Sequence, residues 1–180
     1  MHYLFLLWII LLPAAARGAD RAPAARWVGD ATDAANPEVR ASLPGVPVDS
    51  NARGAFGNSR SYAIGNRRYR LLYQVSDSLV GNPMAVCGGG DEIHLSVHDV
   101  SQSVPVEHFR TLVSSCLQTL SLASQETGCP DSEFDFSSVV VLGDELTISW
   151  AGARRGGPSQ RRYSIRNGQF ILKGNPAEGE

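Results

Sequence analysis

Apolar and polar residues alternate along some stretches of the chain and recur three or four apart in another. From Arg68 to Val75 the period is two. Tyr69, Leu71, Tyr73 and Val75 fall on one face, and Arg68, Arg70 and Gln74 on the other. That is the pattern of a half-buried strand. Glu92 to His98 alternates again, with Ile93, Leu95 and Val97 inward and Glu92, His94, Ser96 and His98 outward. Between the two, Ser76 to Pro83 reads as a loop and Cys87-Gly88-Gly89-Gly90 as a tight connector.

The period then changes. Val106, Phe109, Leu112, Val113, Cys116, Leu117 and Leu120 lie three or four apart, which predicts one apolar stripe on a helix fading near Leu122. Pro105 suits the first helical position, and Glu107 suits the positive end of the helix dipole. Beyond Phe134 the pattern is that of a meander. Val139 to Leu142 and Glu145 to Trp150 read as strands around Gly143-Asp144. A Gly- and Arg-rich loop follows from Gly152 to Ser159. Arg162 to Arg166 and Gln169 to Lys173 then flank Asn167-Gly168, a strong hairpin signal that sets Tyr163 and Ile165 against Phe170 and Leu172. The predicted architecture is α+β: an antiparallel sheet of about six strands with one covering helix, spanning 61–173.

The ends of the chain read differently. Tyr3 to Leu12 is an unbroken apolar run, followed by Pro13 and three alanines. Such a run is too short for a helix to cross ~30 Å of hydrocarbon. With the small residues after it, residues 1–19 read as a secretory signal peptide, cut after Ala16, Gly18 or Ala19. No cysteine near the cut offers a lipid attachment point. Residues 20–60 hold Pro23, Pro37, Pro44 and Pro47, five charges of each sign and no sustained period. They are expected to form a disordered leader, as 174–180 are a disordered tail.

Charge narrows the classes. The net charge of -2 argues against a nucleic-acid binder. Its distribution is uneven: 53–70 carries five Arg and no acid, 91–145 ten acids and one Arg, and 154–173 six basic residues and no acid. Compensation between paired strands is the expected outcome. The exception is Arg154, Arg155, Arg161 and Arg162, four arginines in nine residues, which form a candidate binding surface for an acidic partner.

No catalytic constellation emerges. Gly-x-Ser-x-Gly, His-Glu-x-x-His and Cys-x-x-Cys are all absent. His94 and His98 are four residues apart on a strand, about 13 Å, too far to share one metal ion, and read as exposed. His108 is expected on the wet side of the helix. Asp131, Glu133 and Asp135 lack the Gly and terminal Glu of a calcium loop. No cofactor and no metal are therefore expected. Of the three cysteines, one pair should bond in an oxidising compartment. Cys87–Cys116 would staple the helix to the sheet, with about 3–4 kcal/mol in the chain-entropy model. Cys116–Cys129 is also within reach.

Tyr69-Arg70-Leu71-Leu72, Cys87-Gly88-Gly89-Gly90 followed by Glu92, Ser115-Cys116-Leu117, Leu146 to Trp150, and Arg162-Tyr163 before Gly168 together resemble a loose set of small exported Gram-negative proteins of unknown function. The resemblance implies a Cys87–Cys116 pair, with Cys129 left over, and carries no activity. The expectation is an exported, periplasmic, non-enzymatic binding or inhibitory protein. Its partner would be another envelope protein, with no nucleic acid and no stable membrane insertion after signal cleavage. A small envelope hydrolase and a structural envelope component are the alternatives.

Overall fold

The computed structural model describes residues 26–27, 45–49, 51–57, 60–78, 90–126, 135–152 and 159–174. The segment read as a signal peptide, most of the expected leader and tail, Cys87, Cys129, Asp131, Glu133, Arg154 and Arg155 lie outside them. The described chain forms ten strands: β1 (Arg26–Trp27), β2 (Ala52–Gly57), β3 (Tyr62–Ile64), β4 (Arg67–Asp77), β5 (Asp91–Asp99), β6 (Val106–Ser115), β7 (Val139–Leu142), β8 (Glu145–Ser149), β9 (Gln160–Arg166) and β10 (Gln169–Leu172). They build two antiparallel sheets. The first runs β1-β2-β4-β5-β6, with β3 also pairing β4, and the second runs β10-β9-β8-β7.

The sheets share one core. Alternation in β4 and β5 puts Tyr69, Leu71, Tyr73, Val75, Ile93, Leu95 and Val97 on one buried face. Opposite them stand Val139, Leu146, Ile148, Trp150, Tyr163 and Ile165 from the second sheet. Rings cross the interface: Phe109 of β6 meets Tyr163 and Phe170 at 4.8 Å each, and Tyr69 meets Phe170 edge-on at 6.1 Å. Phe136 stacks on Tyr73 at 3.9 Å. The sheets are also joined by the chain itself, since Leu120 bridges to Ser115 and Leu122 to Trp150.

The predicted covering helix is not there. Val106–Ser115 is strand β6, antiparallel to β5, so the described residues are all-β rather than α+β. Two β-bulges produced the misleading period. The β5–β6 register shifts between Ile93 and His94 and again between Val97 and His98, and each shift adds a residue to β6. An added residue moves the alternation by one position. Phe109, Thr111, Val113 and Ser115 follow a period of two, but two of these four are polar. The apolar residues alone then mimic a spacing of three and four. Val106 and Leu117, assigned to the buried stripe, are exposed.

The four-stranded meander follows the sequence reading closely. Val139 pairs Ile148 and Leu142 pairs Glu145 around the two-residue turn Gly143-Asp144, with Gly143 at φ 60. Phe170 pairs Ile165 and Leu172 pairs Tyr163. Asn167 and Gly168 both take positive φ, 52 and 84, as a tight hairpin turn matched to the strand twist requires.

Part of the segment read as a leader belongs to the fold. Ala52–Gly57 pairs with β4, and Arg26–Trp27 pairs with β2. Residues 45–49 form a strap across the outer face of the first sheet, where Val46 and Val48 pack on Ala55 and Leu72. Asp49 N donates to Gln74 Oε1 at 2.7 Å, and Gly45, at φ 77, sits 3.1 Å from the Pro105 ring by the position of an added Cβ. The strap buries the polar residues of that face. Gln74, Ser96 and His98 are almost inaccessible.

Candidate functional site

Side chains with possible chemistry gather in two clusters on opposite faces of the β5–β6 ladder. At the second bulge, His108 is the extra residue of β6, and it lies beside Asp99 of β5 and Arg67 of β4. Arg67 Nη1 donates to Asp99 Oδ2 at 2.7 Å, and His108 Nε2 is 3.8 Å from the same oxygen. Ser101 N donates to Asp99 Oδ1 at 2.9 Å. Burial pushes the Asp99 carboxyl up, but hydrogen bonds from Ser101 and Arg67 outweigh it and leave the acid below its ordinary range. His108 is half-buried against Tyr69, not on the wet side of a helix. The basic strand β4 and the acidic strand β5 do compensate here, as expected from the uneven charge.

The second cluster lies under the strap. His98 Nε2 is 3.0 Å from Ser96 Oγ and 3.9 Å from Glu107 Oε2. Arg110 binds Glu107 through two nitrogens, at 2.7 and 2.8 Å, and Asp49 of the strap on its other side. Desolvation holds the His98 imidazole below the ordinary histidine value, although the Glu107 carboxylate pulls the other way. Hydrogen bonds from Arg110 hold Glu107 low. The reading of His98 as an exposed strand histidine is therefore corrected: it is 1% exposed. The strap covers it, and the strap's V-P-V sequence was the only hint. His94 stands four residues away on the same strand face, paired with Gln74.

In both clusters the ionisable groups are engaged mainly with one another. Among the described residues no group of three or more His, Cys, Asp and Glu is arranged to hold a metal ion. Asp135, from the acidic run, accepts a hydrogen bond from Ser137 N at 2.8 Å.

The arginines singled out in the sequence are separated. Arg154 and Arg155 lie outside the described residues. Arg161 and Arg162 are neighbours on β9 and so point to opposite faces. Arg161 pairs with Ile148 on the core side, and its guanidinium sits 5.8 Å above the Trp150 ring. Arg162 pairs with Thr147 on the outer face, where its Nε donates to Gln160 Oε1 at 2.9 Å. Arg161 thus covers the end of the core, and Arg162 faces solvent.

That outer face of the second sheet is exposed along its edges, while Ser164 near its centre is buried. Register places Val140 and Leu142 of β7, Glu145 and Thr147 of β8, Arg162, Ser164 and Arg166 of β9, and Ile171 of β10 on it. Leu142 is 67% exposed, Ile171 48% and Val140 37%. Lys173 reaches across the sheet to pair with Glu145. Arg162 and Arg166 are exposed, and neither takes part in the ion pairs of the described residues. Sequence reasoning missed Val140, Leu142, Arg166 and Ile171. The signal was the wholly apolar β7: a strand on a two-layer core can bury only alternate residues, so two of Val139 to Leu142 had to face out.

Cys116 follows β6 directly, and its N–H donates to Asp91 O at the start of β5, 3.2 Å away. Glu92 fastens the same corner. Its Oε1 accepts from Ser78 Oγ and Ser115 Oγ, both at 2.9 Å, and from Leu117 N at 3.3 Å.

No family model, no curated protein and no solved structure matches this chain.

Proposed function

We propose that this is an exported binding or inhibitory protein of the bacterial periplasm, acting through a surface on its second sheet rather than through a catalytic centre. One observation carries the reading. The outer face of the first sheet is covered by the strap, while the outer face of the second presents Leu142, Ile171 and Val140 to solvent beside two arginines. Exposed apolar side chains and Arg on one sheet face are characteristic of a recognition surface. The signal-like segment at residues 1–19 supports the compartment, and a Cys87–Cys116 bond suits it.

Affinity capture from periplasmic extract tests the proposal, using the tagged full-length protein with quantitative mass spectrometry. The expected result is enrichment of one envelope protein that is lost when Leu142→Asp is placed on the patch. Capture that survives Leu142→Asp would move the binding surface elsewhere. No enriched partner, together with hydrolysis of a peptide, glycan or ester substrate by the purified protein, would overturn the reading in favour of an envelope hydrolase.

A further inference from the structure

We propose that the outer face of β7–β10 binds an acidic amphipathic helix of a partner protein. This deepens the functional reading above and rests on it.

Charge and spacing define the occupant. The described outer face carries Arg162, Arg166 and Lys173 against one carboxylate, Glu145, which Lys173 already neutralises. Arg162 also acts on Glu145, and the face keeps an excess of two positive charges among the described residues. Arginine's planar fork matches carboxylates bidentately, so an Asp- or Glu-bearing surface complements them. A second copy docking face to face would set like charges together, which disfavours self-association through this surface.

The face has a lateral order as well. Val140 and Leu142 form an aliphatic ridge on β7, and β8 between them and β9 contributes Glu145 and Thr147. The arginines stand on β9 and Ile171 on β10. From β7 to β9 is two strand spacings, about 9.6 Å. That is close to the width of an α-helix with its side chains, about 10 Å. A helix lying along β8 would set an apolar stripe on the β7 ridge and a neighbouring acidic stripe on Arg162 and Arg166. An extended segment, narrower than a helix, does not bridge both ridges. A lipid surface is the weaker match, because no Trp, Tyr or Phe projects from this face to enter the interfacial region.

The area sets the strength. Four strands at about 4.8 Å, over some 15 Å of length, give roughly 300 Å². That is well below the ~800 Å² per partner of a standard interface, so an isolated helix should bind weakly.

The experiment titrates the isotope-labelled full chain with a capped synthetic helix bearing a Leu stripe flanked by Glu, and follows backbone amide shifts. Shifts are expected in β7–β10. Affinity should fall at least about tenfold in Arg162→Glu with Arg166→Glu, and also in Leu142→Asp. Leu117→Asp, at an exposed position off this face, should bind as the parent does, and thermal unfolding confirms that each variant is folded. Equal binding of a Gln-for-Glu helix would overturn the charge assignment. Shifts outside β7–β10 would overturn the placement. Binding to vesicles of phosphatidylglycerol through the same amides, with none to the helix, would overturn the proposal in favour of a membrane surface. If no helix binds but periplasmic capture is lost in Leu142→Asp, the functional reading stands and this occupant is wrong. If capture fails as well, both fall.

Discussion

The indole Nε1–H of Trp150, just beyond β8, donates to the main-chain carbonyl of Val113 in β6 at 3.0 Å, a buried hydrogen bond between the two sheets. Val113 is the residue that the first bulge leaves without a Cα partner in the β5–β6 ladder. A bulged residue loses its regular ladder bond, and a buried carbonyl left unpaired costs about 1–3 kcal/mol. The indole supplies the missing donor and carries Arg161 over its ring. Trp150→Phe keeps an aromatic ring but removes the donor, so it should lower unfolding free energy by about 2–3 kcal/mol. Equilibrium urea denaturation measures this. A change under ~0.5 kcal/mol would mean that the bond does not hold the sheets together.

The two glycine turns of the second sheet separate backbone strain from side-chain crowding. Gly143 has φ 60 with open space around an added Cβ. Gly143→Ala should therefore cost only the left-handed penalty, about 1–2 kcal/mol. Gly168 has φ 84, and an added Cβ would lie 2.9 Å from His108 Cε1 and 3.3 Å from Arg67 Nη1. Gly168→Ala should cost more than Gly143→Ala, because His108 and Arg67 must move. The excess should shrink when His108→Ala is introduced first. Equal costs for the two glycines would show that the His108 ring gives way freely.

These positions also show where the sequence was legible. Asn167-Gly168 was readable because a two-residue turn with positive φ at both positions admits few residues, and its register then fixed every pair of β9 and β10. Tyr69 to Val75 was readable because β4 is regular and half-buried. β6 was not, because its bulges break the alternation and its core face includes Thr111 and Ser115. The strap was hidden for another reason. Val46 and Val48 bury themselves against Ala55 and Leu72, so their role is visible only once the sheet exists. The exposed edge required knowing that nothing described covers Val140 and Leu142, and that is a tertiary fact.

Acidification should reveal His98. The unfolded chain takes up its proton near the ordinary histidine value, about pH 6.5, whereas burial holds the folded value lower. Between the two the unfolded state binds more protons, so stability rises with pH across that interval and is lost as pH falls below about 6.5. Asp49, Glu107, Arg110 and His108 set the local field around His98. Glu107 acts in a lower window. Its depressed value gives stability that is present above the ordinary glutamate range and lost as pH falls from there through the lowered folded-state value. Thermal unfolding from pH 7.5 to 5.0 should show a decline in the parent that His98→Gln flattens. A parallel decline in that variant would assign the loss to other groups.

The last prediction concerns the cysteines. Cys116 is held at the start of β5 by the hydrogen bond from its N–H to Asp91 O, and the ladder continues there with Ser78 N donating to Gly90 O at 2.9 Å. Cys87 lies three residues before Gly90 in the chain. Three residues span at most about 11 Å. Cys129 follows a chain that has already left this corner, because Leu122 bridges to Trp150 and Ser124 N donates to Ser138 Oγ at 2.7 Å in the second sheet. Geometry therefore favours Cys87 as the partner, now joining β6 to the entry of β5 rather than a helix to a sheet. Non-reducing peptide mapping should recover a Cys87–Cys116 peptide and an alkylatable Cys129. Cys87→Ser and Cys116→Ser should each lower stability by about 3 kcal/mol in the chain-entropy model, with the double variant no worse than either. Cys129→Ser should change it by under ~0.5 kcal/mol. Recovery of a Cys116–Cys129 peptide would reverse the assignment, and would require the segment after Glu126 to return to the first sheet.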